Sequence, residues 1–271
     1  MTYRDLAEFG LVLIGEEDER FPALERAILD SPAPFPRWPQ DPGARRAVLW
    51  NQSGRAVIVL SFVWRYTDRE GRTQHARFSN LGSSSQWKML TGQSPVVEDL
   101  GTCILNGAKR LLTETGMFGN SQDVLPAMQV QGGYVGSGGG GSLRSTEETT
   151  DLELSLDFAV LSNGLCIGAD EGQLFEGITN GLVDIQRTSR EAARLLLEGA
   201  TEGQVFDLLL PIAKQLPYDR RGHQLVLQRM FGSIATNVLL HSPRNRLVAW
   251  FEEAAEPLTL RLHRPESTPE A

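Results

Sequence analysis

The chain has 271 residues, 41% hydrophobic and 22% charged, with a net charge of -8. That is the composition of a globular protein, long enough for one large domain or two small ones. The acidic balance argues against a nucleic-acid binder, which carries a basic stripe, and no apolar run approaches the roughly 20 residues of a membrane span.

The N-terminus does not read as a signal peptide, because Tyr3–Glu8 is charged and Leu11–Ile14 is too short for an apolar region. A cytoplasmic location with Cys103 and Cys166 as reduced thiols is expected. Residues 1–45 read as an arm. Leu11–Ile14 suits a short strand, and Phe21, Leu24, Ile28 and Leu29 space a short helix with Pro22 in its first turn. The proline-dense run from Ser31 to Pro39 is an extended connector, since proline fixes φ and removes a donor. Phe35 and Trp38 in that run either pack back on the domain or meet a partner.

Residues 46–80 hold the strongest pattern. Ala56 to Tyr66 is rich in β-branched and aromatic side chains, which suit a pleated, packed surface. Ile58, Leu60, Phe62, Trp64 and Tyr66 share one face at period two, and Val57, Val59, Ser61, Val63 and Arg65 share the other. Turn residues bracket this strand at Asn51-Gln52-Ser53-Gly54 and Asp68-Arg69-Glu70-Gly71. Two successive hairpins, an antiparallel meander, are expected. This succession, with Trp64 near the end of the long strand, resembles bacterial immunoglobulin-like β-sandwich domains over about residues 46–115. The resemblance implies a fold and no chemistry.

Further along, Asn106-Gly107 between Leu100–Leu105 and Lys109–Thr113 predicts a hairpin, and Gly116 to Pro126 reads as loop. Residues 131–150, with the Gly-Ser run 136–142, read as a flexible internal tether, natural or engineered. Leu152, Leu154, Leu156 and Phe158 alternate with Asp151, Glu153, Ser155 and Asp157, placing an apolar set inward and an acidic set outward. A turn at Ser162-Asn163-Gly164 returns the chain.

From Asp170 the period becomes helical. Leu174, Ile178, Leu182, Ile185, Ala192 and Leu196 form one stripe, and Gly199 stops it. Thr201 caps a second helix, with Pro211 as a kink. A third runs from Gly222 to Leu240. Ser242-Pro243 opens a fourth. Leu258, Leu260 and Leu262 alternate as a brief strand, and the tail from Pro265 is polar.

Candidate chemistry is sparse. Cys103 sits between Thr102 and Ile104 and Cys166 between Leu165 and Ile167, neither at a helix N-terminus nor in a basic setting that lowers a thiol pKa. A Gly-x-Ser-x-Gly elbow is absent. His75, His223, His241 and His263 have no zinc-ligand spacing, and His75 is expected to face solvent. The carboxylates Glu147, Glu148, Asp151, Glu153 and Asp157 suit calcium by type, but no Asp-x-Asp-x-Asp-Gly loop is present. They read instead as a solvated sheet face or guarded edge. No catalytic residue, metal or cofactor is expected.

These readings describe an α+β protein. An antiparallel immunoglobulin-like sandwich spans residues 46–169, with its Gly-rich loop, and residues 170–271 form a helical region and polar tail. The expected function is a non-enzymatic interaction module, an adaptor or an inhibitory or regulatory subunit of a bacterial complex. It would meet a protein partner or a second copy through Leu174, Ile178, Leu182 and Ile185, with Phe35 and Trp38. One alternative is an enzyme whose site assembles Asp157, Asp170, Glu171 and His223 in a cleft between the halves. Another is a regulator released by proteolysis or by a partner.

Overall fold

The structure, a computed structural model, describes residues 1–29, 45–67, 70–80, 103–113, 116–118, 150–214 and 243–263. In chain order the strands and helices are β1 (Thr2–Arg4), β2 (Leu11–Gly15), α1 (Phe21–Leu29), β3 (Arg46–Asn51), β4 (Val57–Thr67) and β5 (Thr73–Asn80). After these come β6 (Lys109–Thr113), β7 (Gly116–Phe118), β8 (Thr150–Leu161), β9 (Leu165–Ile167), α2 (Leu174–Leu197), α3 (Glu202–Lys214), α4 (Arg244–Ala254) and β10 (Arg261–Leu262). The protein is α+β, with two sheets and a helix-rich C-terminal region.

The larger sheet runs β10-β9-β8-β4-β5, with β1 also on β8; the smaller runs β2-β3-β6-β7. Their facing sides share one buried cluster, including Leu11, Leu49 and Leu112 from the smaller sheet and Leu60, Phe62, Trp64, Leu154 and Leu156 from the larger. Each such side chain, fully buried, contributes about 1.5–3 kcal/mol before entropy is counted. The outer face of the smaller sheet is covered by α1, whose Phe21, Leu24 and Ile28 pack on Ile14, Val48 and Leu111. The outer face of the larger sheet is covered at one end by α2, α3 and α4, which pack on Ile58, Val59, Phe158, Val160 and Cys166. The layers are therefore helix, sheet, sheet, helices. Where both faces are covered, as along Val57–Leu60, the strand is apolar on both faces.

Several sequence expectations need correction. The expected meander does not form: β3 belongs to the smaller sheet, whereas β4 and β5 pair in the larger. The Asn51–Gly54 turn is thus a crossover between sheets. Asn51 fixes it while fully buried. Its Nδ2 donates to the carbonyls of Arg55 and Ile104, both at 2.8 Å, and its Oδ1 accepts from Ser53 N at 3.0 Å and Ser53 Oγ at 2.7 Å. Asn106-Gly107 is likewise no hairpin. Ile104 bridges Val57 in the larger sheet, while β6 pairs with β3 in the smaller. Gly107 turns at φ +83° and donates to Asn51 O at 2.6 Å. Met117 and its neighbours, read as loop, are β7.

The N-terminal residues are not an arm, because β1 pairs with β8 and β2 with β3. The larger sheet is not purely antiparallel: β1 runs parallel to β8 and β10 parallel to β9. The strand Leu11–Ile14, the helix from Phe21 and the return at Ser162–Gly164 stand as read, whereas α4 starts one residue later than Ser242-Pro243 implies, with Pro243 as its N-cap and Arg244 its first helical residue. Thr201 caps α3: its Oγ1 accepts from Gln204 N at 3.3 Å and its N–H donates to Gln204 Oε1 at 2.8 Å.

Two register shifts redirect side chains. One between Val57 and Val59 turns Ile58 toward the helices and Val57 toward the facing sheet, the reverse of simple alternation. The other, in β8 opposite the Ser61–Phe62 step, places Asp157 between Leu156 and Phe158 as an extra residue. Such bulges re-aim side chains. Phe158 consequently joins the helix-side cluster rather than following Leu156 inward.

Candidate functional site

Beyond the reach of the C-terminal helices, the outer face of the larger sheet becomes polar. Register sets the neighbours: Arg65 lies opposite His75 on β5 and Glu153 on β8, and Val63 lies opposite Arg77 and Ser155. Arg65 and Arg77 therefore rise diagonally adjacent on one face. Ser61 and Ser79 continue that face, joined Oγ to Oγ at 3.1 Å.

Arg65 Nη1 donates to Glu153 Oε1 at 2.7 Å and to Ser155 Oγ at 3.0 Å. Arg4 Nε on β1 takes the other Glu153 oxygen at 3.0 Å. Arg65 Nη2 donates to Glu171 Oε2. Arg77 Nη1 donates to Asp157 Oδ2, and its Nη2 lies 4.0 Å from Glu171 Oε2. The Asp157 side chain is 1% exposed. A carboxylate so buried must be paired and hydrogen-bonded, and this one is both.

The loop from β9 to α2 closes around that pair. Asp170 N–H donates to Asp157 O and Glu171 N–H to Asp157 Oδ1, each at 2.9 Å. Gly168 adopts φ +107°, and a Cβ there would collide with the Asp157 carbonyl oxygen. Asp170 and Gln173 take φ +52° and +54°, an uncommon conformation outside glycine. Asp170 then serves the start of α2, its two oxygens accepting from Leu174 N at 2.6 Å and Phe175 N at 3.1 Å. Burial pushes the Asp170 carboxyl above its ordinary value, helped by the Asp157 charge and opposed by the two N–H bonds.

Of the four residues proposed for an assembled site, the structure thus brings together Asp157, Asp170 and Glu171; His223 lies outside the described residues. The acidic face expected to be solvated is instead paired at Glu153 and Asp157, because two arginines rise beside it. Arg65 was visible as the polar interruption of its strand. Arg77 carries no signal of its own, since only strand register shows that it faces Asp157.

The proposed partner stripe is core. Leu174, Ile178, Leu182 and Ile185 are no more than 3% exposed and pack against the larger sheet and α4. The three-four spacing is the same for core and for an exposed seam, and the sheet beneath decides between them. Phe35 and Trp38 lie outside the described residues, as do the Gly-Ser run 136–142 and the helix expected over 222–240. His75 faces solvent. Cys103 and Cys166 are buried, and burial pushes each thiol up to about 12. Such thiols are poor nucleophiles. Among the described residues, no group of three or more His, Cys, Asp or Glu is arranged to hold a metal ion, and no helix is long and apolar enough to cross a membrane.

An open groove of about 390 Å³ lies at the opposite end of β4, lined by Phe9, Gln52, Ser53, Arg55, Asn163 and Leu165 among others. By the rise of a strand it is about 25 Å from Arg65, and it includes none of the three clustered carboxylates. The chain matches no protein-family model, and no curated protein or solved structure matches it.

Proposed function

We propose that the chain is a non-enzymatic protein-interaction module, an adaptor or an inhibitory or regulatory subunit of a bacterial complex acting in the cytoplasm. Its paired sheets serve as an immunoglobulin-like scaffold with helices added on both sides. The observation that carries this reading is the state of the clustered carboxylates. Asp157 is engaged by Arg77 and the Glu171 N–H, Glu153 by Arg4 and Arg65, and Asp170 by the first turn of α2. Groups so engaged hold a loop and a helix in place, and a general acid or base needs a proton position open to substrate. The test is affinity purification of the tagged chain from its native extract, followed by gel filtration. A stoichiometric protein partner that co-elutes supports the module. A chain recovered alone as a monomer removes the support.

A second reading rests on one observation: Asp157, Asp170 and Glu171 do converge, and burial raises the Asp170 carboxyl. On that reading the cluster is a catalytic site. An activity found by substrate screening and abolished in Asp170→Asn, with the fold intact by circular dichroism, would carry it. An activity that survives that change would sink it.

A further inference from the structure

Arg65 and Arg77 carry donors that the buried pairs do not use. Arg65 commits Nη1 to Glu153 and Ser155, and Arg77 commits Nη1 to Asp157. Both Nη2 groups turn toward one spot, which Glu171 Oε2 occupies. The two guanidinium-bearing side chains are 23% and 26% exposed, so the spot is sheltered yet reachable. Glu171 is different from the carboxylates beneath it. Its side chain is 53% exposed against 1% for Asp157, and its place is set by its backbone N–H rather than by packing. An ion pair of such exposure is worth little. A side chain at position 172 would press on Arg77 Nη1, 2.7 Å from a built Cβ, so glycine there leaves the guanidinium uncovered.

We propose that Arg65 and Arg77 form a carboxylate-binding site, which Glu171 fills in the free chain and which an incoming carboxylate takes over. The chemistry fits, because planar guanidinium groups match carboxylates through paired N–H donors. The exchange replaces one carboxylate by another, so the charge of the cluster is unchanged and Asp157 and Glu153 keep their arginines. Assigning that carboxylate to an acidic segment of a protein partner rests on the interaction reading; the site itself does not.

The test uses the full chain as wild type, as Glu171→Ala, and as Glu171→Ala with Arg77→Lys. The lysine keeps a cation for Asp157 but has a single nitrogen, with no second, separately placed one to stand in for Nη2. Succinate and a hexaglutamate peptide are titrated calorimetrically at matched chloride ionic strength, with thermal melts confirming that each variant is folded. Removing Glu171 should tighten binding of both probes by about two- to fivefold, the size of the exposed ion pair given up, and Arg77→Lys should remove that gain. Equal binding by wild type and Glu171→Ala overturns the site, as does a gain that persists with Arg77→Lys. A gain for succinate alone keeps the site and overturns its assignment to a protein segment. If the gain appears and affinity purification still recovers the chain alone, the site stands and the interaction module falls.

Discussion

Trp64 ties the two sheets together, and its replacement measures that tie. The indole is fully buried in the cluster between the sheets, and its Nε1–H donates to Thr113 O on β6 at 2.9 Å. Trp64→Ala removes the largest side chain of that cluster. Deletions of this kind cost about 3–5 kcal/mol through lost transfer energy and the cavity left behind. The lost hydrogen bond adds about 0.5–1.5 kcal/mol, so the upper half of the first range is expected. Trp64→Phe keeps an aromatic ring in place and loses the donor. Roughly half of the alanine effect is expected from it, since the residual cavity is smaller. The assay is equilibrium urea unfolding followed by far-UV circular dichroism, with the denaturant slope compared between variants. An unchanged slope licenses reading the midpoint shift as stability. A loss below about 1 kcal/mol for alanine, with the slope unchanged, would refute the inter-sheet placement of the ring, because no buried indole of this kind is removed so cheaply.

Four more outcomes follow from the same structure. Asp157→Ala removes the buried partner of Arg77 and the acceptor of the Glu171 N–H, and should cost about 1–3 kcal/mol because Arg77 is 26% exposed and keeps Glu171 beside it; the double variant with Arg77→Ala should cost less than the two single losses summed, a coupling read from a double-mutant cycle. Gly168→Ala forces a Cβ at φ +107° toward the Asp157 carbonyl and should cost about 1–3 kcal/mol by thermal unfolding, whereas the same change at Gly71 meets no atom within 4 Å and should show backbone strain alone. Thr201→Ala removes the cap of α3 and should cost about 1 kcal/mol, with Thr201→Ser restoring most of it. Cys103 and Cys166 should resist alkylation near neutral pH until the chain unfolds. Burial lifts both thiols from the ordinary 9.0 to about 12, so the unfolded chain ionises first. Stability is therefore intact below about pH 9 and is lost as pH rises toward 12, a window that closes when both are changed to alanine.

The strands and helices were largely legible because their causes are local. β-Branched alternation over residues 57–66, the Thr201–Gln204 capping pair and the three-four stripe from Leu174 are written in neighbouring residues, and each forms where the spacing places it. Which element lies beside which was not local. Asn51–Gly54 and Asn106-Gly107 have the chemistry of tight hairpins, yet both carry the chain between sheets, because β3 and β6 find each other across a long separation in sequence. The Leu174 stripe has one spacing whether it meets a sheet or a partner, and only the larger sheet's apolar outer face settles that it is core. The candidate site is the clearest case. Glu153, Asp157 and Glu171 announce themselves as acids, but their states depend on a bulge that adds one residue to β8 and on the register that sets Arg65 and Arg77 against them. A one-residue change of register turns every side chain to the opposite face, so the sequence alone determined the charges and only the tertiary pairing decided that they neutralise one another.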